Sequence, residues 1–328
     1  MKSKVYIYGL CNVFYDGYYI LGIKEVFGNF EFNISKFPNL KQGTFAVIIE
    51  NDNGSKKIII DSTDSNTADK LGIEWCDVYG KVNYKEEFLT KTEAEKIVEI
   101  GPSFGIKIWN GFTSARYLAL NFLRFKSKVT DKREFVANYW RQYRRFRLKE
   151  YLPATSSKNV VFFISSIWKN EILTNKNRAL FIECCKSNKD IHFEGGFAAR
   201  TDGNNLSFDH LVFSKKVSLK IYIQKTKKSA ITYNTPAVLS CHGWKLGEFL
   251  ALGKAIISTP HFNKLPAELI DNKHLIYAND EQEITSAIKK IVADDELKSK
   301  LEFNTRMYFD NYLAPKKVIE RLINKISK

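Results

Sequence analysis

The sequence predicts an α/β protein built as two doubly wound halves. Three observations carry that expectation. Short β-rich apolar runs alternate with helix-spaced segments along the whole chain, a polar break near residue 155 separates two such alternations, and 328 residues suffice for two cores. A hydrophobic content of 44% with 27% charged residues and only 7 Pro excludes a disordered or fibrous chain. The 51 Lys and Arg exceed the 36 Asp and Glu, giving a net charge of +15 and a pI near 9.4, which points to a polyanionic neighbour.

In the first half, Val5–Leu10 reads as a buried first strand. The loop Tyr15-Asp16-Gly17-Tyr18-Tyr19 follows, and Ile20–Phe27 has helical apolar spacing up to Gly28. Further strands are expected at Thr44–Glu50, Lys57–Asp61, Asp77–Tyr79 and Ile97–Gly101, so the alternation suggests a parallel layer architecture. Lys2 and Lys4 before V-Y-I-Y-G-L-C-N-V-F-Y have the outline of a signal peptide. However, Asn12 interrupts the run, Asp16 ends it, and no small-residue cleavage site follows. Five cysteines without C-x-x-C spacing argue against a zinc site or a disulfide framework, and make a reducing cytoplasm the expected home. No run reaches the length of about 18 apolar residues that a membrane span needs.

Residues 116–149 carry eleven Lys or Arg against Asp131 and Glu134. Val136, Tyr139, Trp140, Tyr143 and Phe146 recur at helical spacing, so this is read as an amphipathic basic helix. It has three readings: a solvated face, a nucleic-acid stripe, or a surface resting on anionic lipid through Trp140, Arg141, Arg144 and Arg145. Pro153 and the polar run through Lys158 then form a linker, dividing the chain into domains 1–155 and 156–328.

The second half repeats the pattern. Asn159–Ile164 is a continuous apolar strand followed by a Ser165-Ser166 loop, and Asn177–Lys186 a helix. Ile191–Glu194 is a strand ending at Gly195-Gly196, Leu219–Lys225 a helix and Ala230–Tyr233 a strand. A helix follows at about Lys245–Leu252, and Ala255–Ser258 is the next strand. Helices at 281–293, 295–309 and after Pro315 complete the chain, the terminal ones expected to pack back on the first domain. Doubly wound sheets of the Rossmann type bind ligands beyond the carboxyl ends of their strands, which places the expected site in an interdomain cleft.

Thr235–Pro260, T-P-A-V-L-S-C-H-G-W-K-L-G-E-F-L-A-L-G-K-A-I-I-S-T-P, is the most informative segment. A loop enters a helix near Trp244, and Gly253 stands where a left-handed cap is expected. First-turn amides from Gly243 to Leu246 make the helix start suited to an anion, and Gly243 lets backbone approach a phosphate. Glu248 follows one turn on, sharing a face with Trp244 and Lys245, where a carboxylate can accept paired hydroxyl hydrogens of a ribose or sugar.

The stretch H-G-W-K-L-G-E-F-L-A-L-G-K-A-I-I resembles a shortened form of the nucleotide-sugar motif E-G-F-G-x-x-x-x-E of GT-B glycosyltransferases of the retaining group. Two residues are missing from the spacing, and His242-Gly243 takes the place of the first Glu-Gly. The following S-T-P-H-F-N-K-L-P-A-E-L and H-L-I-Y-A also resemble this group, particularly bacterial polysaccharide enzymes. The resemblance implies two Rossmann-like domains and donor binding mainly by the second. Glu248 would hold the ribose and His242 would lie near the donor sugar. It also implies a hexosyl or related transferase that moves a sugar from a nucleoside-diphosphate sugar to a hydroxyl of a lipid-linked glycan. Work of that kind belongs to surface polysaccharide synthesis at the inner membrane face.

Other residues join this expectation. Ser165, Ser166 and Lys169 follow the first strand of the second half, where the diphosphate is expected, and Asn234 and Thr235 end a strand toward the same site. Tyr15, Gly17, Tyr18 and Tyr19 form a candidate acceptor or phosphate loop. Asp16, Asp61 and Asp64 stand at strand ends as candidate general bases on an acceptor hydroxyl if the transfer inverts, and His242 is a further catalytic candidate. D-S-T-D is not a D-x-D motif, so metal-independent chemistry without a cofactor is expected. The alternatives from other classes are a nucleic-acid-binding protein and an inactive glycan-binding relative.

Overall fold

The apolar run after Lys4 folds as strand β1 (Lys4–Tyr8), and the polar loop behind it delivers the chain into helix α1 (Gly17–Phe27), stopped by Gly28 at φ +77°. The computed structural model describes residues 3–52, 54–85 and 90–326. Lys2, half of the basic flank noted above, lies outside them. The chain divides into two units: residues up to Glu150 with Asn263–Pro266 and the segment from Asn311, and Tyr151–Phe262 with Ala267–Asp310. The expected α/β class is what forms in both.

In the first unit β2 (Glu31–Asn33), β3 (Phe45–Asn51), β4 (Gly54–Asp61), α2 (Lys70–Trp75), β5 (Val78–Lys81), α3 (Lys91–Lys96) and β6 (Ile97–Glu99) follow. Their sheet has the order β2-β1-β3-β4-β5-β6. It is parallel except at β3, which runs antiparallel to both β1 and β4. The reversal departs from the all-parallel expectation, and its cause is short-range. Asn51 pairs directly with Gly54, and a connection that short closes a hairpin, whereas a parallel return needs a crossover of about a dozen residues. Two helices follow, α4 (Gly111–Phe125) and α5 (Lys132–Tyr143), in place of one basic helix.

The second unit contains β7 (Val160–Ser166), α6 (Ile172–Ser187), β8 (His192–Ala198), β9 (Val212–Phe213), α7 (Leu219–Lys228), β10 (Thr232–Asn234), α8 (Trp244–Ala251), β11 (Ile256–Ser258), β12 (Ile276–Tyr277), α9 (Glu281–Ala293) and α10 (Asp295–Tyr308). β8 does not end at Gly195-Gly196 but runs through both, at φ +140° and +144°. A Cβ on Gly195 would sit 1.7 Å from Phe163 O, so this strand approaches β7 as only glycine permits. All pairings are parallel, in the orders β9-β8-β7 and β10-β11-β12. The Ala230 amide donates to Val160 O at 2.7 Å and joins the two sets. The resulting order is the 3-2-1-4-5-6 of the doubly wound fold, whose switch point lies between β7 and β10. Phe163, Phe181, Phe197 and Tyr233 fill the core beneath that point. The last helix, α11 (Pro315–Ile326), belongs to the first unit: Gly22 of α1 lets the Pro315 carbonyl approach, and Leu322 covers Gly80 of β5. No helix among the described residues is long and apolar enough to cross a membrane.

Candidate functional site

The carboxyl ends of β7 and β10 bring the predicted donor residues of the second unit together. β7 extends through Ser165 and Ser166, so these serines close a strand rather than form a loop; Ser165 is buried and Ser166 exposed. Thr235 follows β10 and is buried. Arg178, on the inner face of α6, connects them: Nε donates to Thr235 Oγ1 at 2.9 Å and Nη1 to Ser166 O at 2.9 Å. Burial pulls the guanidinium down to about 10. Sequence reasoning missed Arg178. Its one signal is an arginine within an otherwise apolar helical face of Ala179, Phe181 and Ile182.

Helix α8 starts at Gly243, whose extended backbone caps the helix without a side-chain hydrogen bond. Its C-terminus is fixed by Gly253 at φ +59°, the expected left-handed position, and by Arg306 Nη1 donating to Ala251 O at 2.6 Å. The first turn carries the positive end of the helix dipole, but the Leu246 amide, expected to be open to an anion, is spent on Gly243 O at 3.1 Å because the turn tightens there. Before it, Leu239 and Ser240 adopt left-handed conformations at φ +54° and +60°, folding 237–241 into a tight loop closed by Ala237 N to Cys241 O at 2.9 Å. That strained loop presents His242 and Gly243 to a narrow polar crevice. Asn234, Thr235, Leu246 and His261 also line it.

Lys245 folds back toward β7. Its ammonium donates to Ile164 O and lies 5.1 Å from the Phe163 ring and 6.0 Å from that of Tyr222. Burial and the neighbouring Arg178 pull it down to about 7, with Glu248 opposing. Glu248 is buried rather than solvated and accepts from Tyr222 Oη at 3.1 Å. Asn234 spends its side-chain amide on Ser258 Oγ at 2.9 Å, so it ties β10 to β11. Lys169 is exposed beyond β7, and Trp244 is half-buried at the helix start.

Two further groups were not legible in the sequence. His261 lies with its ring 5.5 Å from that of His242, and its Nε2 is buried without a hydrogen-bond partner among the described residues. Burial and His242 hold it down to about 3, so it is neutral at physiological pH. Thr259 Oγ1 is likewise buried and unpartnered among the described residues. Buried polar atoms are normally satisfied, so His261 Nε2, lining the same crevice as His242 and Gly243, is open to a water or a polar ligand.

In the first unit Asp16 is buried before α1, and its Oδ2 accepts from the Asn12 amide at 2.8 Å. Burial pushes its carboxyl well above the usual range; the Asn12 bond opposes this and the Asp61 charge reinforces it. Tyr18 and Tyr19 are core side chains, bonded to Leu313 O at 2.5 Å and Ser103 Oγ at 3.1 Å. Tyr15 is exposed, packed edge-on to Phe14, and Gly17 approaches Ile106 O. Asp61 does not suit the expected role of base. It accepts from Lys81 Nζ at 2.7 Å, Tyr79 Oη at 2.8 Å and Thr63 Oγ1 at 2.6 Å, so its lone pairs serve the fold. Asp64 is exposed in the same loop.

On α5 the buried face is Phe135, Asn138, Tyr139 and Gln142, so Val136 and Trp140 point outward instead of sharing a face with Tyr139. Arg144 lies 5.8 Å over the Trp140 ring and Arg145 5.1 Å over Phe14. Arg141 is paired with Glu134 at 2.5 Å. No group of three or more His, Cys, Asp or Glu among the described residues has the arrangement of a metal site.

No protein-family model matches the sequence, and no curated protein matches it. Solved structures do. The C-terminal domain of LpcC, a glycosyl transferase group 1 family protein from Francisella tularensis, is 15% identical with a TM-score of 0.35, over 50% of this chain and 96% of that one. A glycosyltransferase from Rickettsia africae is 12% identical with a TM-score of 0.46, over 82% and 69%. A UDP-N-acetylglucosamine 2-epimerase, so titled, from Listeria monocytogenes is 10% identical with a TM-score of 0.43, over 96% and 92%. The three structures named are what this chain is similar to, at 10–15% identity.

Proposed function

We propose that the chain transfers a sugar from a nucleoside-diphosphate sugar to a hydroxyl of a glycan acceptor. One observation carries the reading: the α8 N-terminus, Arg178, Lys245 and the open His261 Nε2 lie around the switch point between β7 and β10. Breaking a glycosyl–phosphate bond leaves charge on the diphosphate, and each ~1.4 kcal/mol of added transition-state stabilisation gives about tenfold in rate. A helix dipole supplies up to ~2 kcal/mol, so the adjoining cations carry the remainder, and the chain's own groups can do so without a metal. Lys245, drawn down to about 7 by burial, takes up a proton as the diphosphate arrives. Glu248, oriented by Tyr222, accepts from ribose or sugar hydroxyls. Asp16, its carboxyl raised by burial, is the candidate base on the acceptor side.

Phe112, Leu123, Val136 and Trp140 stand exposed on α4 and α5 among Arg116, Arg124, Lys132 and Arg133. That mixture supports a lipid-linked acceptor used at an anionic membrane face in surface polysaccharide synthesis. The test is calorimetric titration with UDP-sugars. Glu248→Ala is expected to weaken binding more than about tenfold, the loss of a charge-assisted hydrogen bond, and Tyr222→Phe to weaken it less. Unchanged affinity in Glu248→Ala removes the donor-site assignment.

A further inference from the structure

The first unit carries a second concentration of positive charge that the donor chemistry does not use. An open groove runs from the end of α1 past the start of α4 to the segment after α5, its two lobes of about 390 and 510 Å3 sharing Lys107, Arg147 and Lys149. Each lobe has the dimensions of a small-molecule site. Lys24 completes one lobe, and Arg144 and Arg145 the other. Glu150 is the single acid among these lining residues. Among the described residues, none of Lys24, Lys107, Arg144, Arg147 and Lys149 is ion-paired to a carboxylate. Like charges gathered in a concavity repel one another, and an anion relieves that repulsion.

The wall is held in place. The Lys107 amide donates to Phe146 O at 2.8 Å, and Asn110 Oδ1 caps α4 by accepting from the Thr113 amide at 2.8 Å. Lys107 Nζ lies 4.0 Å over the Tyr143 ring, so the aromatic face here is already covered. Trp109 is buried between Tyr117 and Tyr139.

We infer that the groove is a phosphate-binding subsite that receives the phosphate of a phosphorylated acceptor. Arg and Lys together suit that group, the guanidinium by its forked donors and the ammonium as a point charge. Its position fits as well: Lys24 and Gly17 are both on α1 and seven residues apart, about 10 Å along the axis. Arg145 at the other lobe lies over Phe14 in the loop that leads to Asp16. Naming the ligand an acceptor rests on the transferase reading above; the phosphate site does not.

The test uses the full chain with saturating UDP, titrated with inorganic pyrophosphate, and in parallel sedimented with phosphatidylglycerol–phosphatidylcholine or pure phosphatidylcholine vesicles. Lys107→Gln/Arg147→Gln/Lys149→Gln removes three groove charges. Lys215→Gln/Lys216→Gln/Lys220→Gln removes three exposed charges from the second unit. Pyrophosphate affinity is expected to fall at least about tenfold in the groove variant alone, with UDP affinity unchanged. Vesicle binding without pyrophosphate binding, lost in the groove variant alone, also supports the subsite and identifies a lipid headgroup as the phosphate source. Equal losses in both variants, or none in the groove variant, overturn it. Failure of UDP to bind the wild type overturns the donor reading instead, and the contrast between the two variants still reads the groove.

Discussion

Arg178 Nε lies 2.9 Å from Thr235 Oγ1, and through this bond one buried guanidinium joins the residue after β10 to the inner face of α6. Its Nη1 reaches Ser166 O at the end of β7, so the two sides of the switch point are tied by a cation that still has donors to offer a ligand.

The first prediction follows from that fork. Arg178→Lys keeps the charge but loses the bidentate geometry, so UDP affinity is expected to drop about tenfold or more by calorimetry. Thr235→Val is expected to produce a smaller loss, since it removes only the acceptor of Nε. Wild-type affinity in Arg178→Lys would exclude the guanidinium from the diphosphate site.

Lys245 yields a pH signature. Its ammonium is drawn down to about 7 against an ordinary 10.5, chiefly by burial. An anion at the site favours the charged form, so UDP binding at pH 8 is expected to take up nearly one proton and at pH 6 almost none. Titration in buffers of different ionisation enthalpy measures this, and Lys245→Met should abolish the difference. The same shift has a sign in folding. Between about 7 and 10.5 the unfolded chain holds the proton that the native lysine has lost, so this residue adds stability as pH rises through that window. Wild type should therefore gain more than Lys245→Met in denaturant titrations from pH 7 to 10.

The three aspartates of the first unit are expected to separate by phenotype. Asp61→Asn leaves Lys81, wholly buried, without its carboxylate, a change that costs about 3–5 kcal/mol of stability. Asp64→Asn, in an exposed position, should change stability by less than about 0.5 kcal/mol. Asp16→Asn should lower kcat by about 10²–10⁴ with the donor KM unchanged, the scale of a lost general base. Because burial raises the Asp16 carboxyl, the wild-type rate should climb with pH until that group ionises. A full rate in Asp16→Asn would remove it from the chemistry.

Local pattern located much of this. The Gly253 cap, the start of α8 and the alternation of strands and helices are written in nearest-neighbour residue types, because backbone conformation answers to a few adjacent side chains. The hairpin that reverses β3 was also within reach, in the turn around Gly54, but alternating apolar runs masked it.

By itself, the sequence determined two α/β halves, a glycine-led helix start and a strong excess of basic residues. Tertiary structure alone decided that Arg178 and Lys245 meet at the switch point, that Asp61 is consumed by Lys81, and that His261 Nε2 is left open beside His242. The physical reason is distance along the chain. Arg178 and Thr235 are 57 residues apart, and Lys245 and Ile164 are 81 apart. Whether a charged side chain is paired or open, and how far burial shifts its protonation, depends on neighbours that only the folded sheet order supplies.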